Sequence, residues 1–390
     1  MAAVKLFAII MILFIAPTAF AGDIQPQPAD RAAKIDQLLE GAISRGLVAG
    51  GVVLVGDRSG VVFERAYGRT SADPKATQTT INTIYDIASL TKVVATAPAV
   101  LKLAEEGKLS LVDPVVRWFP EFFGKGKDEM LVLNLLTHTS GLDDFPLSPQ
   151  NPLESAVEGA ALQKLKGELG SRFHYADINF ILLGEMVRRI SGKSLDLFAA
   201  DSFFAPLGMN DTSFNPAGEK VQRCAGTVAA DNSVQVGLVQ DLLSRQLGGV
   251  AGHAGVFTTA RDLARFCRMI LDDGVLDGTR ILSGRAVQQM TAPYFSRNGN
   301  VVRGLGWDIA SPYSSPKGNG FSETSFGHTG YTGSSIWLDP TEDIFVVLLT
   351  SRLDYKKTRE FNQLRSELST LAAAIFAPAA ALEELARSRY

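Results

Sequence analysis

Cysteine and histidine are scarce in this sequence, and their scarcity limits the chemistry that the chain can support. The 390 residues include 2 cysteines and 4 histidines. Two cysteines cannot build the framework of several disulfides that stabilises small secreted domains. Cys224 and Cys267 could pair in an exported protein, but a buried thiol at Cys267 fits its apolar neighbours equally well. The histidines show no metal-ligand spacing, so no metal or cofactor is predicted; they are His138, His174, His253 and His328.

A strong excess of either charge is also missing. The chain has 38 basic and 41 acidic residues, a net charge of −3 and no basic run. This balance gives no electrostatic surface for nucleic acid, which is therefore not a predicted partner. The Gly-x-Ser-x-Gly motif is absent, which argues against an α/β-hydrolase. No rhythm of alternating strands and helices is present either, which argues against a doubly wound parallel sheet.

Long apolar runs are limited to the amino terminus. Leu6 to Ala16 is continuously apolar, Lys5 precedes it, and Ala19-Phe20-Ala21 follows it as a small-x-small pattern. This arrangement is typical of a secretory signal peptide and predicts cleavage after Ala21, with a periplasmic or secreted product. An uncleaved membrane anchor is the alternative, although the run is short for a span. The stretch from 371 to 382 is also too short, so no membrane span is predicted after cleavage.

Strand patterns occur near both ends of the chain and helical patterns lie between them. The sequence therefore predicts an α/β (α+β) domain over 22–377, in which helices flank an antiparallel sheet of about five strands from both chain ends. The sheet part covers about 30–88 and 250–377, the mostly helical insertion covers about 89–250, and 378–390 form a tail. The predicted strands are Gly50–Val55, Val61–Tyr67, Gly304–Ile309, Ser334–Leu338 and Ile344–Thr350, and the clearest helices are Ala33–Arg45, Phe180–Ile190, Ala260–Leu271 and Thr358–Phe376.

A serine and a lysine three residues apart, Ser89 and Lys92, open an apolar helical pattern. Residues at this spacing lie on one face of a helix, about 5–6 Å apart at their Cβ atoms. Serine needs an adjacent base to become a nucleophile, and a Ser–Lys pair is one known solution. Pro98 predicts a bend in this helix. Ser314 and Lys317 share the same spacing, but their Ser/Pro/Gly-rich surroundings favour a solvated surface loop.

Two later stretches could complete a site around Ser89. Tyr175 and Asp177 precede a helix, and the positive potential of a helix start would lower the pKa of Tyr175. Half-buried packing is the alternative role for this tyrosine. Farther on, Gly327-His328-Thr329-Gly330-Tyr331 comes before an apolar strand, where close glycines let the backbone approach another group and an N–H could face an oxyanion. A plain glycine-rich turn is the alternative interpretation.

These three stretches in this order resemble the serine β-lactamase and penicillin-binding protein superfamily, and most of all its class C-like branch, whose middle motif begins with tyrosine. That branch includes class C β-lactamases, D-alanyl-D-alanine carboxypeptidases, D-amino peptidases and esterases. The resemblance covers roughly residues 30–376. Further stretches support it: Leu136-Thr137-His138-Thr139-Ser140-Gly141-Leu142, Pro206-Leu207-Gly208-Met209 and Gly248-Gly249-Val250-Ala251-Gly252-His253-Ala254-Gly255.

The resemblance implies a role for each matching residue. Ser89 would be the acylated nucleophile, Lys92 would polarise it or take its proton, and Tyr175 would be the base for acylation and the acid for the leaving group. Asp177 would bond to Lys92 and to the substrate amide. His328, Thr329 and Gly330 would line the opposite wall and bind a substrate carboxylate or stabilise charge. The N–H groups of Ser89 and Tyr331 would form the oxyanion hole.

Two residues depart from the pattern of the branch. His328 replaces the lysine of Lys-Thr-Gly, which makes a dedicated β-lactamase less expected, and Asp177 replaces an asparagine. If Asp177 pairs with Lys92, the lysine is held charged and Tyr175 becomes the favoured base. The prediction is an exported serine hydrolase acting on small esters or cell-wall-type D-amino acid peptides, with β-lactams as further acylating agents. The alternatives are a penicillin- or peptidoglycan-binding protein with little turnover and a class C-like β-lactamase.

Overall fold

The computed structural model describes residues 28–229, 231–295 and 301–377, and the predicted signal peptide lies outside them. The helices are α1 Pro28–Ser44, α2 Ala97–Glu105, α3 Val132–Leu136, α4 Pro152–Leu162, α5 Ile178–Ser191, α6 Leu195–Ala199, α7 Glu219–Gln222, α8 Leu242–Gln246, α9 Ala260–Leu271, α10 Gly284–Thr291 and α11 Thr358–Phe376. The strands are β1 Val48–Gly56, β2 Val61–Gly68, β3 Tyr85–Asp86, β4 Ser213–Phe214, β5 Gly226–Val228, β6 Val234–Val236, β7 Val256–Thr258, β8 Val275–Leu276, β9 Thr279–Arg280, β10 Tyr294–Phe295, β11 Val302–Arg303, β12 Asp308–Ala310, β13 Phe326–Thr329, β14 Ser335–Asp339 and β15 Ile344–Arg352.

An antiparallel sheet joins the two ends of the chain. Its strand order is β10-β11-β12-β13-β14-β15-β1-β2, so the early hairpin pairs with the last strand. In the register of β1 and β15, Val53 lies opposite Leu348 and Leu54 lies opposite Val347. The predicted antiparallel sheet from both chain ends, with flanking helices, is confirmed.

The number and bounds of the strands differ from the prediction. The sheet has 8 strands rather than about five. The strand predicted over Gly304–Ile309 is wrong, because most of that stretch is the turn between β11 and β12, where Gly304 N–H bonds to Trp307 O. The strands β10, β11 and β13 were not predicted, and β13 carries the His328-Thr329 pair itself. Its four residues, with glycine among them, show too little alternation to be recognised as a strand.

Both faces of the sheet are covered, because alternate residues of its central strands are apolar on each side. Val53 and Val55 of β1 face a cluster with α1 and α11 that includes Ile35 and Leu368. Val52 and Leu54 face the larger core with α2, α5 and α9. Each fully buried aliphatic side chain of this kind contributes roughly 1.5–3 kcal/mol to folding. The segment around Ser89 packs into the larger core through Ile87 and Leu90.

Several local predictions for the remaining segments can be checked in the structure. The helix Ala260–Leu271 is confirmed, and the Thr259 side chain caps it by accepting a hydrogen bond from Asp262 N–H. Helix α1 begins at Pro28, before the predicted start. Cys224 and Cys267 are both buried free thiols, so the disulfide alternative is wrong. Among the described helices, none combines the length and apolarity that a membrane span requires.

Candidate active site

The segment that presents Ser89 leaves the short strand β3 through an unusual backbone turn. Ser89 lies in a 3-10 turn, Ala88–Leu90, and a π-helical turn, Lys92–Thr96, follows before α2 begins. Ala88 has φ +46°, a conformation that costs energy for a residue with a Cβ. The Asp86 carboxylate holds this turn by accepting the Ala88 N–H at 2.9 Å. Such strain is common where a reactive side chain must be held in one position.

The prediction of an α-helix that begins after Ser89 and bends at Pro98 is therefore wrong in its geometry. The wider π turn comes first, and Pro98 lies in the first turn of α2. A proline is tolerated there, because the first N–H groups of an α-helix have no intrahelical acceptor. The irregularity thus falls on the Lys92 turn rather than on Pro98.

The Lys92 ammonium is fully buried and lies close to three oxygen atoms of the protein. Its Nζ lies 3.1 Å from Ser89 Oγ and 3.1 Å from the carbonyl oxygen of His253. The third contact is an ion pair with Asp177 Oδ1 at 2.7 Å. Burial alone would lower the pKa of Lys92, but Asp177 and Tyr175 outweigh it and raise that pKa above its usual value. Lys92 is therefore a charged group beside Ser89.

Tyr175 sits over this pair and is half-buried. Its ring lies 5.1 Å from Lys92 Nζ and stacks on His138 at 4.5 Å between centroids. Its hydroxyl is within hydrogen-bonding reach of both Lys92 and Ser89. Burial raises the pKa of Tyr175 more than Lys92 lowers it, so the predicted lowering by the helix start is wrong. Tyr175 is a neutral phenol at neutral pH.

The opposite wall is formed by β13 and the turn after it. Thr332 Oγ1 donates to Asp86 O at 2.7 Å, and Ser334 Oγ donates to Ile87 O at 2.9 Å. Gly330 packs so closely on Ile87 O and Ser334 Oγ that an added Cβ would overlap both. These contacts fix the β13 turn against the peptide that leads into Ser89. Within 301–377, the Tyr331 N–H has no hydrogen-bond acceptor, as an oxyanion donor requires.

His328 lies at the edge of this wall, facing Tyr175. The two rings are 6.2 Å apart between centroids, and His328 is buried. Its Nδ1 lies 2.8 Å from Thr329 O, and a carbonyl oxygen only accepts, so Nδ1 carries the proton. Burial, then the nearby Arg303 and Lys92 charges, hold the pKa of His328 well below its usual value. The neutral ring therefore offers an unprotonated Nε2.

Sequence reasoning missed two residues of the site, His253 and Asp241. The carbonyl oxygen of His253 accepts a hydrogen bond from Lys92, and its Nε2 lies 2.8 Å from Asp241. Gly252 packs against Phe180 O with no room for a Cβ, which explains the glycine at this contact. No local pattern points to Asp241, because only the tertiary fold brings it to His253.

Asp177, Asp241 and His253 form a cluster whose potential ligand atoms all lie within 4.8 Å of one another. Such a set could in principle hold a metal ion. However, Asp177 already faces a cation, the Lys92 ammonium, so the chemistry of this cluster is that of an ion-pair network.

The second Ser-x-x-Lys match does not form a comparable pair. Ser314 is buried rather than solvated, which corrects the surface interpretation, and its Oγ accepts the Ser311 N–H at 2.8 Å. The adjacent Tyr313 was not predicted as a site residue. Its ring lies 5.6 Å from that of Tyr175, so this loop borders the cleft.

The structure brings the Ser-x-x-Lys turn, the half-buried tyrosine and the His-Thr-Gly strand together around one cleft. A family model described as Beta-lactamase matches residues 33–368. The chain therefore belongs to the beta-lactamase family, as the sequence resemblance predicts.

Named relatives and solved structures agree with this assignment. A protein of Escherichia coli (strain K12) named "Putative D-alanyl-D-alanine carboxypeptidase" is 29% identical over 366 residues, covering 83% of this chain and 82% of the relative. The fold is similar to that of a class C beta-lactamase in complex with cefoxitin, with TM-score 0.73, 20% identity and coverage of 89% and 99%.

Two further solved structures share the fold. One is a penicillin-binding protein homologue from Caulobacter crescentus, with TM-score 0.72, 21% identity and coverage of 87% of this chain and 98% of that one. The other is EstCE1, a hydrolase with promiscuous acyltransferase activity, with TM-score 0.72, 21% identity and coverage of 88% and 99%. At such identities these likenesses establish the fold and not the substrate.

Proposed function

We propose that this beta-lactamase-family hydrolase works through an acyl-enzyme on Ser89 and acts on small esters or on D-amino acid peptides of the cell-wall type. The observation that carries the proposal is the 3.1 Å contact between Lys92 Nζ and Ser89 Oγ, made while Lys92 is also paired with Asp177. A buried ammonium next to a serine oxygen stabilises the negative charge that develops there during attack. A β-lactam could acylate the same serine.

The protonation states of the site favour Tyr175 as a proton relay. Lys92 is charged and Tyr175 is neutral, so neither group is a free base in the resting site. A neutral phenol can accept the Ser89 Oγ proton on its oxygen lone pair while it donates its own proton to the leaving group. A bond forms between Ser89 Oγ and the carbonyl carbon, and the bond from that carbon to the leaving group breaks. Tyr175 is again a neutral phenol at the end of the step.

Deacylation would use the same hydroxyl in reverse. Water attacks the acyl carbonyl, the Tyr175 oxygen accepts a proton from that water, and it returns its own proton to Ser89 Oγ. The acid product leaves, and the resting site is regenerated. The Tyr331 N–H, together with that of Ser89, would bind the oxyanion in both steps.

The decisive test of the nucleophile compares Ser89→Ala with Ser314→Ala as a matched control. With p-nitrophenyl acetate, Ser89→Ala should fall to the background rate and should show no acyl adduct by mass spectrometry. Ser314→Ala should retain turnover, because the Ser314 hydroxyl accepts the Ser311 N–H of its own loop and does not contact Lys92. Undiminished turnover in a folded Ser89→Ala variant would refute the assignment.

We also propose that the protein is exported. The supporting observation is the amino-terminal pattern of Lys5, the apolar run Leu6 to Ala16 and Ala19-Phe20-Ala21. Expression of the full chain in a Gram-negative host should give a periplasmic product whose first residue is Gly22. A cytoplasmic product that retains residues 1–21 would contradict export.

A further inference from the structure

The peptide that joins Ile87 to Ala88 is held at both of its polar ends. Its carbonyl oxygen, Ile87 O, accepts the Ser334 hydroxyl at 2.9 Å. Its N–H, on Ala88, is donated to Asp86 Oδ1, also at 2.9 Å. The next peptide along the chain carries the Ser89 N–H, which is one of the two proposed oxyanion donors. Holding the first peptide in place therefore restricts the direction in which the Ser89 N–H points.

The conformation of Ala88 between these two peptides is one that alanine rarely adopts by itself. Its φ is +46°, in the left-handed region. A residue with a Cβ is less stable there than in the right-handed region, by an amount that corresponds to about a 5- to 30-fold lower population. Glycine lacks a Cβ and populates both regions about equally. A contact from outside the residue must therefore keep Ala88 in this conformation, and the Asp86 carboxylate is the group that accepts its N–H.

Both oxygens of the Asp86 carboxylate accept backbone N–H groups. Oδ1 accepts the Ala88 N–H, and Oδ2 accepts the Gln240 N–H at 2.7 Å. The residue is 3% exposed, and these two hydrogen-bond partners are neutral. Burying a charge that is bonded only to neutral groups is costly. Such a charge beside a reactive serine is a candidate for a functional role.

The ionisation of this carboxylate depends on the groups packed around it. Burial raises the pKa of Asp86 to about 6, although the two N–H bonds lower it; Asp241 raises it further, and Arg245 lowers it. Cys224 and Tyr355 also face this carboxylate, but burial raises the pKa of each to about 12, so both are neutral. Asp86 is therefore ionised at neutral pH and accepts both N–H groups. In mild acid one of its oxygens carries a hydrogen, which would face an N–H donor.

We propose that Asp86 is a positioning residue of the active site, whose carboxylate holds Ala88 in the left-handed conformation and thereby directs the Ser89 N–H and hydroxyl toward the substrate carbonyl. Asp86 is buried behind the turn and acts through the backbone. Its second contact, to Gln240, fixes the orientation of the carboxylate. This inference rests on the proposed function, because the turn affects activity only if Ser89 is acylated.

Asp86→Ala tests the inference on the full-length protein, since it removes both acceptor oxygens. The kcat for p-nitrophenyl acetate and the rate of Ser89 labelling by a fluorophosphonate should each fall by about 5- to 30-fold, because Ala88 then returns to its preferred conformation in most molecules. Asp262→Ala is the matched control. Asp262 is also a buried carboxylate, but it accepts the Thr212 hydroxyl at 2.7 Å instead of holding the turn. This control should lose stability and keep both rates within about twofold.

The Ala88→Gly substitution separates a positioning role from a purely structural one. In the Ala88→Gly background the left-handed conformation costs little, so adding Asp86→Ala should reduce kcat by less than about threefold. If Asp86 were needed only for folding or for holding Gln240, the loss would have the same size with alanine or glycine at position 88. That result would overturn the inference.

Asp86→Asn adds a test by pH, because asparagine does not titrate. The wild-type kcat should fall as the pH decreases through about 6, and the Asp86→Asn profile should lack this step. The folded-state pKa of Asp86 lies above its unfolded value of 3.8, so its contribution to stability is complete below 3.8 and is lost as the pH rises through about 6. Acidification from about pH 7 to pH 5 should therefore stabilise the wild type relative to Asp86→Asn while lowering its relative activity. A purely structural carboxylate would move both in the same direction.

The possible outcomes are distinguishable. If the wild type neither hydrolyses the ester nor is labelled at Ser89, the proposed function itself fails, and the inference fails with it. If the wild type is active and a folded Asp86→Ala variant keeps both rates within about twofold, the inference is overturned while the acyl-enzyme proposal stands. An acidic step that persists in Asp86→Asn would belong to another carboxylate, such as Asp144, whose pKa is raised by burial, and would also overturn the inference. If Asp86→Ala does not fold, as judged by circular dichroism, the comparison of the wild type with Asp86→Asn decides.

Discussion

Replacing Asp177 by asparagine tests whether Lys92 is a charged anchor or a base. The carboxylate lies 2.7 Å from Lys92 Nζ, and the lysine side chain is 0% exposed. The substitution keeps the size and one acceptor oxygen but removes the negative charge. The buried ammonium would then lack its ion-pair partner, so that it must either stay charged at a cost or lose its proton.

The expected loss of folding stability follows from the burial of the Lys92–Asp177 pair. Breaking a buried ion pair on one side costs about 3–5 kcal/mol, and the remaining asparagine oxygen places Asp177→Asn at about 3 kcal/mol. The folded-state pKa of Asp177 is below its unfolded value of 3.8, because the attraction of Lys92 outweighs the effect of burial. Its stabilisation is therefore complete above that value and is lost as the pH falls through the folded-state pKa.

The pKa of Lys92 sets the upper end of the pH range over which the ion pair stabilises the fold. Its folded-state pKa is raised above the usual 10.5, so its contribution is complete below 10.5 and is lost only at higher pH. The stability difference between wild type and Asp177→Asn should thus be constant between about pH 5 and pH 9 and should shrink below about pH 4. Urea unfolding at a series of pH values measures it.

An exposed ion pair provides the control. Lys193 and Asp201 are 2.7 Å apart and more than half exposed, so Asp201→Asn should cost less than about 1 kcal/mol at any pH. The reasoning is refuted if Asp177→Asn costs no more than this control. It is also refuted if its effect stays constant down to pH 3.

The other predictions concern the relay and the β13 turn. Tyr175→Phe removes the relay oxygen but keeps the ring on His138, so kcat should fall by about 10²–10⁴-fold with folding retained, as steady-state kinetics and circular dichroism would show; a loss below about tenfold would contradict the relay. Gly330→Ala places a methyl group against Ile87 O, which should cost about 1–3 kcal/mol in denaturant unfolding and slow the labelling of Ser89 by a fluorophosphonate. Gly167→Ala, whose added Cβ would meet nothing closer than 3.5 Å, is the matched control and should do neither.

The features that could be predicted from sequence are those that depend on the spacing of residues close together in the chain. The three-residue interval from Ser89 to Lys92 gave the 3.1 Å contact, and it did so even though the turn is 3-10 and π rather than α. The 3.6-residue period of Ala260–Leu271 gave a helix with the same bounds. The pair of Asp177 and Lys92 was implied by the family resemblance rather than by local spacing, and the structure places the two groups 2.7 Å apart.

The features that sequence could not supply depend on tertiary packing. The raised pKa of Tyr175 comes from burial, and burial depends on what covers the ring rather than on its position before α5. Asp241 and His253 meet across a loop with no spacing rule to join them. The strand β13 is held by pairing with β14, where His328 lies opposite Ile336, and its own four residues carry little strand signal.

The two departures from the pattern of the branch act on the cleft in the same direction. Asp177 stands where the branch often has a neutral asparagine, so it adds one negative charge beside Lys92. His328 stands where Lys-Thr-Gly has a cation, and its contact with Thr329 O leaves it neutral, so one positive charge is removed. Both changes make the charge around Ser89 more negative, and the first also holds Lys92 as a charged group. A charged Lys92 leaves Tyr175 as the group that we propose to carry the proton.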